Sequence, residues 1–213
     1  RRDNAPIVKY VYDGIIRRII DDRDIDASIE FLKNTINKIL KGEFPMHYFI
    51  ITKCLKSEYA NPEQIVHKVL ADRMAERDSG NKPQSNDRIP YVYVKTKNKV
   101  HLQGERVEHP DYITENGLEI DYAFYITNQI QKPVCQVYAL SLESLRKYGY
   151  KLDKEHFIHL EDKYKLENKK NIREKIMDRK MEAVYDTIFK KIVQIEEGKR
   201  YGQKAITDFF NRK

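Results

Sequence analysis

Carboxylates, guanidinium groups and aromatic rings at a few fixed spacings carry whatever chemistry this sequence performs. Asp24-Ile25-Asp26 places two carboxylates on one turn, an arrangement that can hold Mg2+ for phosphoryl transfer. The competing reading is structural. Acidic residues just before the apolar run Ile29, Leu32, Ile36 and Ile39 satisfy free N–H groups and favour the helix dipole. That reading disfavours a nuclease built on Asp24 and Asp26. The cations are placed differently. Arg1-Arg2-Asp3 precedes Pro6, Lys53 ends an aromatic and β-branched run, and His67 and Arg73 follow Asn61-Pro62. Asp87-Arg88 then opens Ile89-Pro90-Tyr91-Val92. The arginines at two helix starts and one strand start set guanidinium groups beside backbone fixed by a proline or a cap.

The elements that position these residues follow from periodicity. Ile7, Val8, Val11, Ile15, Ile16, Ile19 and Ile20 share one helical face over residues 4 to 22, with Pro6 tolerated in the first turn. A second helix is expected from about 27 to 40, capped by Asp26 or Ser28 and ended by Gly42. Residues 46 to 55 read as a strand, and 61 to 77 as a helix opening on Asn61-Pro62. A loop over 78 to 88 leads to a strand at 91 to 96, which turns back through Lys97-Asn98-Lys99 into 100 to 102. Asp121 caps a helix to 139 that kinks at Pro133, or two helices meet there. A long helix spans about 170 to 196. The fold class is α+β, mainly helical, with a small β-sheet or hairpin and a flexible C-terminal tail.

The 213 residues are 40% hydrophobic, enough for one core with appendages, and a net charge of +7 favours a polyanionic partner. Cys54 and Cys135 lack neighbours at zinc-ligand spacing and read as reduced buried thiols. No apolar run approaches the roughly 20 residues needed to span a bilayer, so no membrane partner is expected. The chain opens on Arg1, not Met, and reads as a piece of something longer.

Four stretches in order resemble the C-terminal part of a family B DNA polymerase of the eukaryotic delta type and its large-DNA-virus relatives. They are Arg1-Arg2-Asp3-Asn4-Ala5-Pro6-Ile7-Val8; Ile51-Thr52-Lys53-Cys54-Leu55 with Tyr59-Ala60-Asn61-Pro62; His67-Lys68-Val69-Leu70-Ala71-Asp72-Arg73-Met74 with Asp87-Arg88-Ile89-Pro90-Tyr91-Val92; and Ile120-Asp121-Tyr122-Ala123-Phe124-Tyr125-Ile126-Thr127-Asn128-Gln129. They cover residues 1 to about 140. Asn86 departs from the pattern, standing where the family carries Gly before Asp-Arg. The resemblance implies the end of the palm at 1–22, a thumb over 23–197 with 141–197 as a helical extension, and a tail at 198–213. It implies phosphate contacts from Arg1, Arg2, Lys53, His67, Arg73 and Arg88, with Asp3, Asp72 and Asp87 orienting neighbouring arginines. Tyr91 either presents its ring to the minor groove or packs within the strand pair. The family's two-metal nucleotidyl transfer needs palm aspartates holding Mg2+, whose motifs lie before Arg1. This stretch is therefore expected to bind primer–template DNA without joining nucleotides, to hold no metal or other cofactor itself, and to work with the remainder of a polymerase. The expected setting is intracellular: a nucleus, a viral replication site, or the cytoplasm of an archaeon. The alternative is a non-catalytic, clamp-tethered DNA-binding accessory subunit.

Gln203-Lys204-Ala205-Ile206-Thr207-Asp208-Phe209-Phe210 matches the pattern of sliding-clamp-binding tails: Gln, two spacers, an aliphatic, two spacers and two aromatics. One turn of 3₁₀ helix would set Ile206, Phe209 and Phe210 on one side as a plug, with Gln203 hydrogen-bonding in a small pocket.

Overall fold

A computed structural model describes residues 4–96 and 102–190. Arg1, Arg2 and Asp3, the turn at 97–101, and the tail with Gln203, Ile206, Phe209 and Phe210 lie outside the described residues. The chain forms two compact units, Arg1–Gln129 and Ile130–Lys213.

The first unit opens on a helical hairpin. Helix α1 (Pro6–Ile20) starts on a proline whose missing N–H is no loss in the first turn, and buries Ile7, Val8, Val11 and Ile15. Helix α2 (Ile25–Leu40) begins two residues earlier than the sequence suggests, because Asp24 is the cap: its carboxylate accepts from the Ala27 N–H at 2.8 Å. The acidic pair thus serves the helix start, but through Asp24 and not through the expected Asp26 or Ser28, both of which lie inside the helix. Ile29, Leu32, Ile36 and Ile39 are fully buried, each contributing about 1.5–3 kcal/mol by leaving water. Helices α1 and α2 pack on each other.

A small antiparallel sheet follows, with strand order β1-β2-β3. Strand β1 (Ile51–Cys54) is shorter than expected, because Met46–Phe49 is a 3₁₀ turn entered from Pro45. That turn carries Phe49 into the core, fully buried. Strand β2 (Arg88–Tyr93) pairs with β1, Ile51 opposite Tyr91 and Lys53 opposite Ile89. On its other side β2 meets β3 (Val107–Glu108), further along the chain than the expected hairpin return. Between the strands, Pro62–Gln64 forms a 3₁₀ turn and α3 runs Val66–Arg77. Gly104 seats the 3₁₀ segment Gln103–Arg106 against α3, where a Cβ would stand 2.6 Å from that of Val69. Helix α4 (Pro110–Asn116) ends at Gly117 with φ +61°.

The helix expected after Asp121 changes type twice. Asp121 accepts from the Phe124 N–H at 3.1 Å and caps the single turn α5 (Tyr122–Phe124), which passes into a π-helical turn at Tyr125–Ile130. Helix α6 (Gln131–Tyr138) then carries Pro133 in its first turn, where a missing N–H is tolerated.

In the second unit, a 3₁₀ segment at Leu142–Tyr148 turns at Gly149, with φ +102°. Helix α7 (Lys154–Leu166) is capped by Asp153, which accepts from the His156 N–H at 2.9 Å. Helix α8 (Ile172–Val184) continues into a π turn at Tyr185–Phe189 and packs on α6 and α7. Val134, Tyr138, Leu145, Phe157, Val184 and Phe189 fill this unit's core. Cys135 is buried among them, and burial pushes its thiol up to about 12. The expectation of two buried thiols is corrected at Cys54, which is exposed at the end of β1.

Candidate nucleic-acid interface

The β1–β2 pair sorts its charged residues by the two-residue repeat of extended chain. Ile51, Lys53 and Leu55 alternate with Thr52 and Cys54, and the face shared by Ile51, Ile89 and Tyr91 is buried. Lys53 lies at the rim of that face, half-buried opposite Ile89. Cys54 and Arg88, paired with each other, occupy the opposite face and are exposed. Lys53 and Arg88 are thus brought to one end of the sheet, but on its two sides.

The connection from β1 into α3 adds a second cluster. The Lys56 backbone N–H donates to the Tyr59 hydroxyl at 2.7 Å, and that hydroxyl lies 2.9 Å from His67 Nε2 in the first turn of α3. The two rings meet edge to face, with centroids 5.8 Å apart. Burial lowers the His67 imidazole below its ordinary 6.5, the Lys53 and Lys56 charges lower it further, and the nearby Cys54 backbone acts the other way. His67 is therefore neutral at pH 7. A group whose folded pKa is depressed contributes stability that is present above its unfolded pKa and lost as pH falls through the folded value. Urea midpoints should accordingly fall on acidification below pH 6.5, and His67→Gln should flatten that part of the profile.

The turn that delivers Arg88 is well defined. Asn86 has φ +74°, its N–H donates to the Leu55 carbonyl at 2.7 Å, and the Leu55 N–H donates to the Asp87 carbonyl at 2.8 Å. Asn86 therefore keeps the left-handed backbone that glycine would supply. Asn86→Ala should destabilise the protein by about 1 kcal/mol, while Asn86→Gly should be neutral or better, as read from urea midpoints. Asp87 accepts from the Gln84 N–H at 2.7 Å and so fixes this loop.

Other sequence-predicted residues turn inward. The Arg73 guanidinium donates to the Gly104 carbonyl at 3.3 Å and to the Val107 carbonyl, and its Nε stands 3.3 Å from Glu108. Asp72, by contrast, stays exposed and pairs with Lys68 one turn earlier on α3, not with an arginine as expected. Tyr91 is buried beside Tyr93. Sequence reasoning missed Glu108, whose carboxylate also receives both terminal nitrogens of Arg77 at 2.9 and 3.0 Å. It missed Arg106, paired with buried Asp121 at 2.9 Å. It missed the link made by Tyr125 as well. The Tyr125 hydroxyl donates to the Phe49 carbonyl at 2.7 Å and accepts from the Tyr93 N–H at 2.9 Å, with burial holding its pKa far above the ordinary phenol range. Tyr125→Phe strands a buried carbonyl and a buried amide, and should lower stability by about 2 kcal/mol in urea unfolding.

Gln129 joins the ends of this unit: its side-chain oxygen accepts from the Ala5 N–H at 3.1 Å. The first and last of the four stretches that resemble the polymerase family therefore meet in space. Residues 1–140 match the model of DNA polymerase family B. The chain belongs to this family. A DNA polymerase of Pyramimonas orientalis virus is 44% identical over 219 residues, covering 99% of this chain and 18% of that protein. A DNA polymerase of Acanthamoeba polyphaga mimivirus is 54% identical over 149 residues, 68% of this chain and 9% of the relative. The DNA polymerase delta catalytic subunit of Schizosaccharomyces pombe is 37% identical over 143 residues, 65% and 12%. The chain thus spans less than a fifth of the length of these relatives. The family B polymerase structure from Pyrobaculum calidifontis aligns over 62% of this chain and 17% of its own, at a TM-score of 0.49 and 17% identity.

The family B chemistry needs Mg2+ held by carboxylates. Among the described residues, no group of three His, Cys, Asp or Glu side chains could hold a metal ion, and Asp24 is spent on its cap. No described helix is long and apolar enough to cross a membrane.

Proposed function

We propose that this family B chain is the palm-end and thumb region of a replicative DNA-directed DNA polymerase, and that it grips primer–template duplex through the phosphate backbone. The observation that carries the reading is the end of the β1–β2 pair. There Lys53 and Arg88 come to one end of the sheet on its two sides, with exposed Lys56 on the connection that follows and His67 nearby. Contacts of this kind hold a duplex without reading bases and re-form after each advance. In this reading nucleotidyl transfer belongs to the remainder of the polymerase, which supplies the Mg2+ ligands. Residues Gln203, Ile206, Phe209 and Phe210 tether the assembly to a sliding clamp.

Duplex binding measured by fluorescence anisotropy over a range of salt concentrations tests the grip. The expected result is a straight line of log affinity against log salt with a steep negative slope, the same for two unrelated sequences. A shallow slope, or strong preference for one sequence, overturns it. The tail is tested separately, by the loss of binding to a purified sliding clamp in Phe209→Ala/Phe210→Ala.

A further inference from the structure

We propose that Tyr59 and His67 form a proton-linked receptor for one backbone phosphate of duplex DNA, in which protonation of His67 turns the Tyr59 hydroxyl outward to a phosphate seated by Lys53 and Lys56. The inference rests on the DNA-gripping reading above and adds a residue pair and a mechanism to it.

Hydrogen-bond capacity sets what this pair can do. A phenolic oxygen has one hydrogen to donate and two lone pairs. At Tyr59 one lone pair is taken by the Lys56 backbone N–H, at 2.7 Å. The remaining contact is to His67 Nε2, at 2.9 Å. In the tautomer that leaves Nε2 bare, the Tyr59 hydrogen points at it. The hydroxyl then has nothing to offer a ligand. When a proton from solvent lands on Nε2, the bond reverses. Nε2–H donates to the second lone pair of Tyr59, and the hydroxyl hydrogen is released toward solvent. The Lys56 amide holds the phenol in place in both states.

The surroundings set the trigger. The charges facing His67 are Lys53 on β1 and Lys56 on the connection, both positive, with the Cys54 backbone from β1 as the opposing influence. In the free protein those lysines and partial burial resist a third positive charge. A phosphodiester between them removes that resistance, because its negative charge favours the imidazolium and accepts the released Tyr59 hydrogen bond. Binding and proton uptake are then reciprocal: each favours the other by the same factor.

The test follows the His67 imidazole by NMR in the full chain, assigned with His67→Gln, with and without a saturating mixed-sequence duplex at fixed ionic strength. The expected result is a titration midpoint below 6.5 in the free protein that rises when duplex is bound. Duplex affinity should also increase on acidification, and His67→Gln should abolish that increase. Tyr59→Phe should lose about tenfold in affinity on the acid side and much less at high pH. Bound duplex with an unmoved midpoint overturns the receptor while leaving the grip standing. Failure of the chain to bind duplex overturns both. An equal rise with inorganic phosphate overturns the assignment to DNA, since the site would then serve a free anion.

Discussion

Replacing Lys53 and Lys56 together by alanine is expected to weaken duplex binding about a hundredfold, at roughly tenfold for each charge-assisted phosphate contact. The slope of log affinity against log salt should become shallower by about 2, since every phosphate that is no longer neutralised takes about 0.9 from it. The control is Lys9→Ala/Lys38→Ala, two exposed lysines on the α1–α2 hairpin, which removes the same net charge elsewhere. If overall charge governed binding, the two double variants would behave alike. If the end of the sheet holds the duplex, only the first loses affinity and slope. Neither variant disturbs a core: Lys56 is exposed and Lys53 sits at the rim. Circular dichroism should show both folded.

Removing Glu108 is expected to cost about 3 kcal/mol. Two guanidinium groups then lose their counter-charge, and the low end of the range for broken buried pairs applies because Arg73 and Arg77 keep some exposure. For 213 residues that corresponds to a fall in Tm of about 6–12 °C. The effect is large because Glu108 is the hub between β3 and α3. It binds Arg77 through both oxygens and draws in Arg73, whose remaining nitrogens hold the Gly104 and Val107 carbonyls. Arg77 also stacks on the Tyr112 ring at 3.7 Å. Glu108→Gln keeps the shape but not the charge and should recover only part of the stability. Differential scanning calorimetry decides between this hub and a surface role for Arg73. In the latter case Glu108→Ala would shift Tm little.

Much of the architecture was legible from local signals. The spacing of Ile7, Val11 and Ile15 announced α1, and the cap at Asp121 was read correctly, whereas the cap of α2 is Asp24, two residues ahead of the expected Asp26. The left-handed turn at Asn86 was readable because asparagine stands where the family uses glycine. What sequence could not supply were the long-range commitments. Arg73 looked like a phosphate ligand beside its neighbours on α3, and nothing local said that carbonyls more than thirty positions away would claim it. Tyr91 was more tractable: it alternates with Ile89 and faces Ile51, the period of a strand with one buried side. The Tyr59–His67 pair was hidden by the intervening Pro62 turn, which folds the chain back so that residues eight apart touch. Helix α7 went unnoticed because its apolar positions are sparse and only Phe157 and Tyr164 are buried.

The central claim is that the end of the β1–β2 pair lies against DNA phosphates. Photo-crosslinking from a benzoylphenylalanine placed at position 56 tests it most directly, with the same probe at position 38 for comparison. The account predicts crosslinks to duplex from position 56 with either of two unrelated sequences, fading as salt is raised. Crosslinks from position 38 with none from position 56 would contradict it.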